Sequence, residues 1–173
     1  AGEKVKQYKF GLNFTSIIRK LQLSNSVYFN QRLFDGKLPF GSGGIIELNR
    51  AFWGYKLNIN IQGYLNYDLG FSYNNQKDDR QRFFNDEGIK ADQVMGQNEN
   101  YENTSLYFFG SKSLGKLNFS GGARFENNVI SLESYFKPLD KKTRRINSFN
   151  PSVNFLYEFD KIDVFANFSN GYE

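Results

Sequence analysis

Apolar and polar residues alternate with a period of two along most of this 173-residue chain. The stretch KLNFSGGARFE is an example. Leu117, Phe119, Ala123 and Phe125 share one parity, and Lys116, Asn118, Ser120, Arg124 and Glu126 share the other. A strand sends successive side chains to opposite faces, so such a run makes one greasy face and one wet face. Similar runs recur at about residues 6–18, 20–34, 51–61, 64–74, 102–111, 116–128, 148–159 and 161–170. The fifth run is ambiguous, because LYFFG is apolar on both parities, and Phe165 breaks the last one. No segment carries a clean helical stripe; the best candidate, residues 85–97, lacks one. The expectation is an all-β chain of about eight antiparallel strands.

Which solvent meets the greasy face is decided by the connections. Arg19–Lys20, Gln62–Gly63, Ser113–Lys116 and Asp160–Lys161 read as tight turns. Between them lie long polar links at about 35–50, 75–101 and 129–147. Outer-membrane barrels alternate short periplasmic turns with longer extracellular loops in this way. The strands, about 10 to 14 residues, exceed the usual soluble length of about 5 to 6 and suffice for a tilted bilayer crossing. Mean hydropathy is −0.60 and only 39% of residues are hydrophobic. A barrel tolerates this, because it needs apolar residues only at alternate positions. Aromatic content is 18%, and Tyr8, Phe34, Trp53, Tyr64, Tyr73, Phe159 and Tyr172 are candidates for interfacial girdles. The reading is a section of an antiparallel transmembrane β-barrel. Both ends would then lie outside the cell, which suggests an internal section of a larger barrel spanning residues 1–173.

Two alternatives stay open. One is a passive porin-like channel or small structural outer-membrane barrel. The other is a soluble all-β binding module. Enzymes rank last: the chain has no Cys and no His, and no carboxylate pair stands out, so no catalytic residue, metal site or cofactor is assigned. The net charge of +4 is dispersed apart from Lys141, Lys142, Arg144 and Arg145, which read as a solvated loop, and no nucleic-acid partner is expected. GSGG at 41–44 lacks the Lys and Ser/Thr of a phosphate loop and reads as a loop tip. Asp78, Asp79, Asp86, Glu87, Asp92 and Glu99 fall in one long link without EF-hand spacing and read as a solvated loop.

From residue 63 onward the sequence resembles the barrel of TonB-dependent outer-membrane receptors. DLGFSYNNQKDDRQRFFNDEG (68–88) looks like the family's strand-plus-loop passage with an Asp-Arg pair. NENYENTSLYFFGSKSLGKLNFSGGARFE (98–126) is similar to its hairpin with a Tyr-bearing strand and a GxRxE strand. NPSVNFLYEFDKIDVFANFSNGYE (150–173) resembles its late hairpin ending in Gly-Tyr. The resemblance implies a 22-stranded barrel in the bacterial outer membrane, plugged by an amino-terminal domain that this chain lacks. It implies uptake of a scarce ligand, most often a ferric siderophore or other iron chelate. The TonB energy-coupling complex would act through the plug, and membrane lipid and lipopolysaccharide would surround the wall.

An anionic chelate needs Arg donors near the barrel mouth, because charge-assisted bidentate contacts hold carboxylates best. Arg80, Arg82 and Tyr101, expected in a loop, are therefore the ligand-binding candidates. Asn118, Ser120, Arg124 and Glu126 are expected to line the lumen.

Overall fold

The computed structural model describes residues 2–136 and 141–171. Among them there is no helix. Eight strands run β1 (Gly2–Ile18), β2 (Leu21–Lys37), β3 (Ile45–Ile61), β4 (Asn66–Asp86), β5 (Ile89–Leu114), β6 (Leu117–Ser134), β7 (Lys142–Glu158) and β8 (Asp163–Ser169). They form one antiparallel meander, each strand paired with its chain neighbours, and β1 does not meet β8. The sheet is an open wall.

The long links are not loops. β4 has 21 residues and β5 has 26, so most of the link at 75–101 is strand. Only Glu87 and Gly88 separate the two. Both have positive φ, 50° and 92°, as the two central residues of a type I′ hairpin require. The Asn85 Oδ1 accepts the Gly88 N–H at 2.7 Å and fixes this turn. The link at 35–50 shrinks to residues 38–44, and the basic cluster from Lys142 to Arg145 belongs to β7. The error has a physical source. These extensions leave the apolar region, where the greasy–wet alternation that marks a strand fades.

Pairing register fixes the faces. Leu57, Phe71, Leu106, Phe125 and Phe149 lie in one cross-strand row, with Phe14 further along it. Rows above and below add Trp53, Tyr55, Ile59, Tyr73, Leu69 and Phe108 to the same face. The ambiguous fifth run resolves here, with Leu106 and Phe108 on the apolar face and Tyr107 and Phe109 on the other. This face is open: Phe10, Leu12 and Phe14 are 60–63% exposed. The only buried hydrophobic residues among those described are Ile45 and Phe83. A water-soluble sheet would hide such a band against a core. Here the band suits lipid.

The band also slides across the sheet. The row through Ile18, Leu21, Ile61 and Tyr67 reaches β5 at Gly110, while the apolar band on β5 continues to Leu114, four residues further. One residue per strand step, at about 3.3 Å rise and about 4.8 Å spacing, corresponds to a tilt of roughly 35°. That is the tilt of a closed barrel.

Trp53 and Tyr73 pack with ring centroids 5.1 Å apart at the band's upper edge, as a girdle requires. Phe34 departs from the girdle expectation: its cross-strand partner is Leu48, and it lies on the polar face. Tyr172 lies outside the described residues.

Candidate functional site

The polar face is built from small residues, amides and tyrosines. Glycines let neighbouring rings lie flat on the sheet. A Cβ at Gly70 would meet the Tyr107 ring at 1.9 Å, and one at Gly54 would meet Tyr28 at 2.5 Å. The Tyr107 hydroxyl then donates to Asn58 Oδ1 at 2.8 Å. Tyr28 starts a longer relay. It donates to Asn74 Oδ1 at 2.5 Å, Asn74 donates to Asn103 at 3.2 Å, and Asn103 donates to Asn128 at 2.8 Å. Tyr101 donates to the same Asn128 oxygen at 2.8 Å. Five side chains thus bond across β2, β4, β5 and β6. Each buried amide is satisfied by its neighbour, which makes the wall stiff.

Asn118, Ser120, Arg124 and Glu126 share this face of β6, paired with Ser113, Ser111, Tyr107 and Ser105. Arg124 donates from Nε to Ser105 Oγ at 3.0 Å and pairs with Glu126 at 2.6 Å. Asn118 donates to Glu158, and Ser120 accepts from Asn154. Gly122 lies among them, where a Cβ would meet the Phe108 carbonyl oxygen at 2.2 Å and the Phe109 ring at 3.0 Å.

Beyond the girdle the polar face changes. One row runs Arg32, Arg50, Asp78, Glu99 across β2 to β5. Arg50 grips Asp78 through two N–H groups, Nε to Oδ1 at 2.8 Å and Nη2 to Oδ2 at 2.5 Å. Asp78 is 3% exposed and also accepts from Gln76. The hydrogen bond to Asp78 holds the Arg50 guanidinium above its already high range against the opposing effect of burial. Arg80 reaches Glu99 at 3.5 Å. Arg32 faces Arg50 directly, and its Nε, like that of Arg82, is buried with no hydrogen-bond partner among the described residues.

Arg80 and Arg82 are therefore strand residues of β4, and Tyr101 is a strand residue of β5, not loop residues. All three share the polar face; Arg80 and Tyr101 lie two residues from the ionic row along their strands, and Arg82 lies four. Sequence reading missed Arg32 and Arg50. Their signal was present: both sit on the wet parity of their strands, opposite each other once β2 and β3 are paired.

The rim is clasped. Asn85 donates from Nδ2 to the Leu38 carbonyl at 2.7 Å and from its backbone to Gly41 at 2.8 Å. Gly43, with φ of 70°, turns the β2–β3 loop. Lys37 donates to the Gly88 carbonyl, and Lys90 pairs with Glu47 while lying 3.6 Å from the Phe83 ring centroid. On the opposite face, the Tyr135 hydroxyl donates to Asp79 at 2.6 Å. Burial of that hydroxyl, then the bond to Asp79, pushes the phenol up to about 12. The carboxylates expected in one loop thus divide between two faces, and no cluster able to hold a metal ion occurs among the described residues.

An open, tilted meander with a lipid-type band on one face and a hydrogen-bonded wall on the other is a piece of a transmembrane barrel. The chain matches the family model described as TonB dependent receptor-like, beta-barrel, over residues 2–173, and it belongs to that family. No curated protein sequence matches it. Among solved structures it is similar to the ferric citrate transporter FecA in its unliganded form, at 17% identity and TM-score 0.74, covering 95% of this chain and 27% of that one. It is similar to the ferric yersiniabactin uptake receptor FyuA from Yersinia pestis, at 12% identity and TM-score 0.75, covering 95% and 28%. It is also similar to the copper transporter OprC, at 14% identity and TM-score 0.67, covering 95% and 30%. At these identities the likeness is one of fold. The chain spans under a third of each of these three proteins.

Proposed function

We propose that this chain is an internal section of a larger, 22-stranded barrel in a bacterial outer membrane, and that the whole protein actively imports an iron chelate. The observation that carries the reading is the family match over residues 2–173, on a sheet whose apolar band suits lipid. The similarity to transporters of ferric citrate and ferric yersiniabactin supports iron as the cargo. In this reading an amino-terminal plug fills the lumen and the TonB energy-coupling complex acts on it. The amide and serine wall, including Asn118, Ser120, Arg124 and Glu126, borders the plug. Arg80, Arg82 and Tyr101 meet the ligand above it. The outer band meets lipid, and the continuation of that outward face beyond the Trp53–Tyr73 girdle, with Lys4, Asp35, Glu47 and Lys77, meets lipopolysaccharide. The protein works by binding and transport, not by catalysis.

The test is uptake of radiolabelled iron by a deletion strain and its complemented parent. Iron supplied as a set of chelates should enter only the complemented cells, and only with the energy-coupling complex intact. Equal uptake by both strains for every chelate overturns the reading.

A further inference from the structure

The edge of the sheet opposite the Trp53–Tyr73 girdle sorts its charges. Its acids gather on the β7–β8 hairpin, where Asp160 pairs with Lys116 and Glu158 accepts from Asn118. Asp68, near the same edge on β4, lies on the polar face and accepts from Asn60 at 2.6 Å. From β1 to β5 the edge carries Arg19, Lys20 and Lys112. None of these three has an acidic partner among the described residues.

Lys112 is the most telling of them. It pairs with Phe119, so it belongs to the apolar face, two residues short of the exposed Leu114. A cation is costly in hydrocarbon, and a long side chain escapes by reaching for the interface. Lys112 does so. Its ammonium lies 2.9 Å from the centroid of the Tyr64 ring and donates to the Tyr64 carbonyl. Tyr64, between β3 and β4, is 82% exposed. The carbonyl takes one of the three ammonium hydrogens, which leaves capacity for an anion.

The neighbouring turn holds the other two cations at the same edge. The Gln62 N–H donates to the Lys20 carbonyl at 2.9 Å, which ties the β1–β2 turn to the segment bearing Tyr64. Arg19 has a φ of 56°, a conformation that glycine adopts at far lower cost and does adopt at Gly115, between β5 and β6. A cation thus occupies a position where the backbone favours glycine.

We propose that Arg19, Lys20 and Lys112 form a binding surface for the headgroup of an anionic phospholipid of the phosphatidylglycerol kind. The proposal rests on the outer-membrane reading above, which sets lipopolysaccharide beyond the girdle and phospholipid at this opposite edge. The apolar band ends here, at Ile18 and Leu114, so a lipid lying along the band brings its phosphate to the level of these side chains. Zwitterionic phosphatidylethanolamine offers the same phosphate but brings its own ammonium against three cations. A headgroup of net negative charge does not.

The experiment uses the full-length receptor in detergent and measures binding of fluorescent phosphatidylglycerol and phosphatidylethanolamine with identical acyl chains. Phosphatidylglycerol should bind at least about tenfold more tightly, and high salt should erase the difference. K112Q and R19G should each weaken it by about fivefold. R19G relaxes the turn backbone, so its loss of binding reports the missing charge and not a strained turn. K142Q, at the far end of β7, serves as the control. Heat-shifted migration on gels reports that each barrel has assembled. Equal affinity for the two lipids, or a preference that K112Q and R19G leave intact, overturns the proposal and leaves iron-chelate import standing. Orientation is tested separately. In cells, K20C should react with a maleimide too large for porins only after the outer membrane is permeabilised. Reaction in intact cells overturns the placement of this edge, and with it both the proposal and the import reading.

Discussion

The lower and upper halves of one sheet solve opposite problems. In the lower half, Leu57 and its row present hydrocarbon outward, and Asn58, Tyr107 and Arg124 bond to polar neighbours on the other face. In the upper half, the outward face holds Lys4, Asp35, Glu47, Lys77 and Asp79, while Phe34, Ile46 and Leu48 turn inward. The backbone is continuous and the pairing register unbroken up to Arg82. Only the solvent changes. Below the girdle the outward face suits lipid; above it the charged outward face suits water or lipid headgroups, and the apolar residues lie on the inner face. β4 rises 13 residues from Tyr73 to Asp86, about 40 Å at strand rise. The upper half is therefore a wall in its own right, not a set of loops.

The largest effect should come where the upper half is most committed. Arg50→Ala leaves the buried Asp78 carboxylate without its cation, which costs about 3–5 kcal/mol. Urea unfolding of the full-length barrel should show a lower midpoint, and the double variant R50A/D78N should recover much of it. An unchanged midpoint for R50A would mean that the row is solvated.

The lower half is tested by moving charge across it. Leu57→Arg, at the middle of the band, should cost about 2–4 kcal/mol and cut the assembled outer-membrane fraction. Asn58→Arg, one residue on and facing the other way, should assemble normally. Equal yields would erase the distinction between the faces.

A smaller effect tests the rigidity of the lower wall. Gly70→Ala drives a methyl into the Tyr107 ring and should cost about 1–3 kcal/mol, with Y107A relieving the strain. Thermal melts of the two single variants and the double variant would show the coupling.

The mildest test concerns Tyr135, on the outer face of the upper half. Its phenol is held neutral in the folded state, so folded and unfolded states bind the same proton below about pH 10. As pH rises from there toward about 12, the unfolded phenol ionises first, and the contribution of the Asp79 bond to stability declines. Ultraviolet titration should show one phenol ionising near the top of this range, absent in Y135F.

Much of this was legible in the residues. The KLNFSGGARFE alternation gives both faces of β6, and its parity agrees with the register. The resemblance from residue 63 onward agrees with the family match. The long links misled, because Asn, Gln, Asp and Glu on both faces of β4 and β5 look like loop composition. The Glu87–Gly88 pair was the available signal for a two-residue turn between them. Arg80 and Arg82 were legible as cations but not as strand residues, and Arg32 and Arg50 went unnoticed, because an arginine on the wet parity of a strand has no partner until a second strand supplies one.

Sequence by itself determined the fold class, since a period of two over eight runs admits only strands, and it determined which parity meets lipid below the girdle. Tertiary structure decided where the strands end, which arginine meets which carboxylate, and which face the apolar residues of the upper half occupy. The reason is physical. Parity is a property of one strand, but a row across the sheet depends on register, and register is set by the turns and by pairing of successive strands, which together bring residues more than fifty positions apart, such as Arg32 and Glu99, into one row.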